Sequence, residues 1–133
     1  MSYDFELVCD LPVSPRAIYE AWLSSAGHSA MTGAKANSSK KVGAAYSAWD
    51  GYIVGRNLEL EPNRRIVQSW RTSEFAANDP DSTVTIALSP IGAGARLSLK
   101  HTGVPDGQTS YENEGWREFY FEPMQAYFAR RVT

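Results

Sequence analysis

Between Val42 and His101 the side chains keep a period of two, and turn signals break it at Asp50-Gly51, Glu61-Pro62-Asn63, Asn78-Asp79-Pro80-Asp81 and Pro90 to Gly94. Successive residues of a strand point to opposite faces, so alternation with frequent breaks marks short antiparallel strands joined by tight turns. The stretch predicts a meander of about five strands. Its clearest members set Val84, Ile86 and Leu88 against Thr83 and Thr85, and Ala95, Leu97, Leu99 and His101 against Arg96, Ser98 and Lys100. His101 therefore shares a face with leucines. Residues 65 to 71 offer two competing faces; Ile66, Gln68 and Trp70 carry more apolar surface than Val67, Ser69 and Arg71, which turns Gln68 inward.

The flanks of this meander read differently. Tyr3, Phe5, Leu7 and Cys9 alternate with Asp4, Glu6 and Asp10, the pattern of a half-buried strand over residues 2 to 10. Ser14-Pro15 supplies an N-cap hydroxyl and a proline at the first helical position, and Ile18, Ala21, Trp22 and Ser25 recur at helical spacing behind them. A second short helical piece is predicted over Gly27 to Met31. Beyond the Gly103-to-Gly107 loop, a helix is predicted from about Thr109 to Arg130, with Trp116, Phe119, Tyr120, Met124, Tyr127 and Phe128 as its inward stripe. Pro123 lies inside that stripe and should kink it. The layout is α+β: a long, kinked C-terminal helix across a curved antiparallel sheet, with two short helices after the first strand. Such an arrangement tends to leave a cavity between helix and sheet.

At 133 residues the chain is expected to form one domain over 1–133, and 43% hydrophobic against 21% charged residues is a globular balance. Thirteen basic and fifteen acidic side chains give a net charge of −2, so nothing draws nucleic acid to it. The single cysteine excludes an intrachain disulfide and suits a reducing compartment. The N-terminal MSYDFELVCD has neither the apolar run of a signal peptide nor that of a membrane span. A cytoplasmic monomer is the expectation.

Few side chains suggest chemistry. Cys9, His28 and His101 are the soft or imidazole ligands, and their spacing matches no zinc site. Cys9 with His101 lacks a third, orienting group, and Cys9 reads better as a small buried hydrophobe. Asp79-x-Asp81 lies in a turn without calcium-loop spacing, and Gly92-x-Gly94 joins two strands instead of opening a helix. No acid/base pair stands at readable spacing, so binding is expected in place of catalysis, with no metal or cofactor. The aromatic residues carry more: Trp116, Tyr120 and Tyr127 on the helix face Tyr46, Trp70 and Phe5 on strands. Their polar tips, converging with Gln68 and His101, are costly to bury unpaired, which suggests water or a ligand inside.

Five stretches in register carry a family resemblance: Trp49-Asp50-Gly51-Tyr52-Ile53-Val54-Gly55, Leu58-Glu59-Leu60-Glu61-Pro62, Arg65-Ile66-Val67-Gln68-Ser69-Trp70-Arg71, His101-Thr102-Gly103-Val104-Pro105, and Gly115-Trp116 with Tyr120-Phe121-Glu122-Pro123-Met124. The chain resembles proteins similar to the C-terminal domain of the activator of the heat-shock protein 90 ATPase, members of the START-like, helix-grip (SRPBCC) superfamily. The resemblance runs from about Tyr3 to Phe128. It implies a deep apolar pocket under the C-terminal helix, of the kind that holds lipids, polyketides or hormones elsewhere in the superfamily. With the inward phases above, the residues expected at that pocket are Tyr46, Ile53, Gln68, Trp70, Val84, Ile86, Leu99, His101, Trp116, Tyr120 and Met124. A small apolar or aromatic ligand is the implied partner; the alternative is a protein partner, with the chain acting as a chaperone cofactor or regulator.

Overall fold

The computed structural model describes residues 2–105 and 115–131. The alternating N-terminal stretch forms β1 (Ser2–Leu11), with Cys9 and Leu11 buried and Glu6, Val8 and Asp10 exposed. Ser14 caps α1 (Pro15–Trp22), its hydroxyl accepting from the Ala17 N–H at 3.3 Å. α2 (Ser25–Thr32) begins earlier than the sequence pattern suggests, because Ser24 is a second N-cap, accepting from the Gly27 N–H, and ends at Gly33 in the left-handed conformation.

The period-two stretch forms β2 (Ala45–Ala48), β3 (Ile53–Glu61), β4 (Arg65–Thr72), β5 (Ser82–Ile91) and β6 (Gly94–Pro105). β1 joins them by pairing with β6, giving one antiparallel sheet in the order β1-β6-β5-β4-β3-β2. Register shifts between Tyr3 and Phe5 and between Asn57 and Glu59 add local bends to the sheet's curvature. α1 packs on β5 and β6, α3 (Glu122–Arg131) packs on β1 and α2, and the space between is filled by Ile18, Ile66, Ile86, Leu97, Leu99 and Met124.

Gln68 is buried as its strand phase requires, and a hydrogen-bonded chain satisfies it. Trp22 Nε1 donates to Gln68 Oε1 at 3.2 Å, Gln68 Nε2 donates to Asn57 Oδ1 at 2.9 Å, and Asn57 Nδ2 donates to the carbonyls of Ser39 and Lys41. One run of amide groups thus ties α1, β4, β3 and the segment before β2 together.

The expected start of the C-terminal helix near Thr109 lies outside the described residues. The expected disturbance at Pro123 takes the form of a π-helical turn, Arg117–Phe121, that runs directly into α3. The Glu122 N–H bonds back to the Arg117 carbonyl, five residues earlier. Pro123 has no N–H to continue the four-residue ladder, and a widened turn just ahead of it takes up the mismatch.

Candidate functional site

The widened turn stands off the β3–β4 end of the sheet and leaves a cavity of about 490 Å³ between them. Six of the described residues that line it are aromatic: Trp116, Phe119 and Tyr120 from the helical segment, Trp70 from β4, and Trp49 and Tyr52 from the turn between β2 and β3. Ile53 and Gly115 complete the apolar wall, and Glu74 and Glu118 reach it with carboxylates. Phe119 is 51% exposed, so the cavity opens to solvent past its ring.

The turn that carries Trp49 is under backbone constraint. Trp49 and Asp50 have φ of 53° and 57°, left-handed values that cost a bulky residue such as tryptophan energy unless its surroundings hold it there. The Asp50 N–H donates to the Lys35 carbonyl at 3.0 Å and its carboxylate accepts from the Lys35 N–H, which pins the turn. The Trp49 ring consequently meets Phe119 edge to face, centroids 5.3 Å apart, across the cavity mouth. Its indole Nε1 is buried with no hydrogen-bond partner among the described residues. It lies near enough to Tyr120 to favour phenolate, yet burial dominates there and holds the Tyr120 hydroxyl far above its ordinary pKa.

Two histidines sit behind the aromatic wall, and donor counting fixes their protons. His28 Nδ1 is 2.9 Å from the Trp22 carbonyl, which only accepts, so Nδ1 carries the hydrogen. His28 Nε2 then accepts from the Tyr120 hydroxyl at 2.8 Å. His101 has the opposite tautomer: Trp116 Nε1 donates to its Nδ1 at 3.1 Å, and its Nε2–H faces Ser82 Oγ at 2.8 Å, whose own hydrogen goes to the Trp70 carbonyl. Burial lowers the pKa of both imidazoles, His101 to about 3. Both are neutral at physiological pH.

The comparisons with known proteins agree with this architecture. The family model described as activator of Hsp90 ATPase homolog 1-like protein matches residues 12–129. The chain belongs to this family. It is 24% identical over 115 residues to the human activator of 90 kDa heat shock protein ATPase homolog 1, a match covering 86% of this chain and 34% of that protein. A homologue from Dictyostelium discoideum is 26% identical over 117 residues, covering 87% of this chain and 30% of the relative. The chain therefore spans about a third of the length of these relatives. Among solved structures, an HSP90 activator from Plasmodium falciparum superposes with a TM-score of 0.85 at 22% identity, covering 93% of this chain and 94% of that one. A Mesorhizobium loti protein gives 0.79 at 25% identity, covering 96% and 97%.

In this family member the expected pocket residues divide into three groups. Ile53, Trp70, Trp116 and Tyr120 line the cavity. Gln68, Val84, Ile86, Leu99, His101 and Met124 are at most 1% exposed, packed in the core or hydrogen-bonded behind the wall. Tyr46 borders a separate groove, its hydroxyl donating to the Ser69 carbonyl at 2.7 Å. The split arises because α1 and α3 fill the β1-β6-β5 half of the sheet, leaving space only toward β3 and β4. Phe119 departs from the expected inward stripe: the π turn adds a residue, which breaks the 3.6 spacing and turns its ring to the mouth. Trp49, Tyr52, Glu74, Glu118 and His28 also belong to the site's surroundings without having been singled out as pocket residues. Trp49 and Tyr52 lie inside a stretch that carries the family resemblance; nothing local marks Glu74 or Glu118, and His28 is marked only as an imidazole.

Proposed function

We propose that the protein binds a small, largely apolar or aromatic molecule in the cavity beneath its C-terminal helical segment. The observation that carries this reading is the way three of the aromatic walls spend their polar tips. The Trp116 N–H goes to His101, the Tyr120 hydroxyl to His28 and the Tyr52 hydroxyl to Glu74 Oε2 at 2.8 Å, so the rings offer mainly their apolar faces to the space they enclose. A cavity of about 490 Å³ with such walls suits a drug-sized molecule. The reading takes the protein as a cytoplasmic monomer that needs no cofactor. Native mass spectrometry of freshly purified protein tests it through a co-purified small molecule. Titration with a neutral aromatic probe should quench or shift emission from Trp49, Trp70 and Trp116; unchanged emission with a probe shown to bind by calorimetry would sink it.

A second reading has one observation in its favour, that the relatives are named as activators of a 90 kDa heat shock protein ATPase. On that reading the exposed Phe119 ring is a contact for a protein partner. Stimulation of a purified chaperone's ATPase by this chain, abolished in Phe119→Ser and unaffected by a saturating neutral aromatic probe, would favour it over small-molecule binding.

A further inference from the structure

We infer that the occupant of the cavity is a cation, an aromatic or aliphatic ammonium compound whose apolar body lies among the rings and whose charge lies between Glu74 and Glu118. The inference rests on the small-molecule reading above and names the chemical class it takes. Of the described residues lining the cavity, two are acidic and none is basic. Neither acid forms an ion pair with a described residue, although Arg71 and Arg117 lie close to them in the sequence. Arg71 is committed to Asp81 and to the carbonyls of Ala76 and Asp79, and Arg117 pairs with Glu122 at 3.5 Å.

Glu74 is also held in position. Its N–H donates to Thr72 Oγ1, the Ser73 N–H before it donates to the Tyr52 carbonyl, and one carboxylate oxygen accepts from the Tyr52 hydroxyl. The ordered carboxylate keeps accepting capacity for a ligand's N–H. The rings act in the same direction, because the faces of tryptophan, tyrosine and phenylalanine are negative and attract ammonium groups.

The histidine pair behind the wall is a further source of positive charge, and geometry silences it. His101 Nδ1 is occupied by the Trp116 hydrogen and His28 Nε2 by the Tyr120 hydrogen, so neither ring has room for a second proton. Their lowered pKa values agree. A carboxylate ligand would meet two like charges and no cation among the described lining residues, and a neutral one would gain nothing from either acid.

Calorimetric titration with 1-naphthylmethylammonium, 1-naphthalenemethanol and 1-naphthoate separates the possibilities, since the three share a ring system and differ in charge. The ammonium should bind about 10-fold tighter than the alcohol, with the carboxylate weakest, and the ammonium's advantage should shrink as salt rises. The double variant Glu74→Gln/Glu118→Gln should bring ammonium and alcohol within about twofold of each other, chiefly through loss of the ammonium's affinity. Both side chains are exposed, so the variant should fold. Equal binding of ammonium and alcohol, tighter binding of the carboxylate, or a charge preference that survives the double substitution would overturn the inference alone. Failure of all three compounds to bind would overturn it together with the small-molecule reading.

Discussion

Trp116 hands its indole N–H to Nδ1 of His101 across 3.1 Å, joining the C-terminal segment to β6 through a ring held in one neutral tautomer. The His101 ring is fully buried, lies 4.6 Å from the Trp70 ring and 5.3 Å from that of Phe5, and passes its other hydrogen to Ser82. The cavity wall and the sheet beneath it are therefore locked by a side chain that cannot be protonated without breaking the lock.

Stability should consequently fall as pH drops below neutrality. His101 titrates near 6.5 when unfolded and near 3 when folded, so between those values the unfolded chain binds a proton that the folded chain refuses. Stability from this group is complete above about pH 6.5 and is lost toward pH 3, at up to ~1.4 kcal/mol per pH unit. His28, with its pKa also lowered by burial, adds in the same direction. Urea denaturation at pH 7.5 and pH 5 measures it. His101→Phe should lose about 1–3 kcal/mol at pH 7.5 through the orphaned Trp116 N–H, and should show a shallower decline toward pH 5. A decline as steep as in the parent protein would remove His101 as its source.

Gln68→Leu should be destabilising by about 2–4 kcal/mol, because it strands both the Trp22 N–H and the Asn57 Oδ1 inside the protein. Thermal denaturation compares it with the parent protein. A loss under 1 kcal/mol would mean that water replaces the missing amide, and the chain from α1 to β3 would not be a structural tie.

Gly55 is a position where space decides the residue. A Cβ there would lie 1.9 Å from the Ser69 carbonyl oxygen and 2.7 Å from Tyr46 Cε2, so Gly55→Ala has to push β3 away from β4 or displace the Tyr46 ring. A loss of at least ~2 kcal/mol is expected in chemical denaturation. Tyr46→Phe, which removes one hydroxyl bonded to the Ser69 carbonyl, should cost about 1 kcal/mol. Equal effects of the two substitutions would contradict the packing argument.

Cys9 should be inert while the protein is folded. Burial, then the neighbouring Asp10 charge, pushes its thiol up to about 11, and the residue is 5% exposed. At pH 8 an aromatic disulfide reagent should label it about 100-fold more slowly than free cysteine, at a rate that rises with added urea. Labelling at the free-cysteine rate would show that the β1 end of the core opens readily.

Pro123→Ala separates the two roles of the widened turn. Restoring the N–H permits an ordinary helical ladder across Arg117–Phe121, so thermal stability should be kept or raised. Trp116 and Tyr120 would then leave their present positions at the cavity, and binding of 1-naphthalenemethanol should weaken. Lower stability with unchanged binding would make the π turn a packing accommodation, with the sheet alone shaping the cavity.

The sequence by itself determined the parts that depend on neighbours along the chain. The meander was legible because alternation is a property of consecutive residues, the first helix because Ser14-Pro15 is a local cap, and the inward turn of Gln68 because Ile66 and Trp70 outweigh Val67 and Arg71 on the same strand. Four of the cavity's walls, Ile53, Trp70, Trp116 and Tyr120, followed from the same inward phases and the family resemblance. Tertiary structure alone decided which inward residues line a space and which fill one. Val84, Ile86, Leu99 and Met124 have the same inward pattern as Trp70, and only the packing of α1 and α3 over one half of the sheet separates them. The Tyr120 to His28 hydrogen bond joins residues 92 positions apart, and the π turn moves Phe119 from the core to the cavity mouth. Periodicity reports the face on which a side chain lies; how far the opposing surface stands from that face is set by elements distant in the chain.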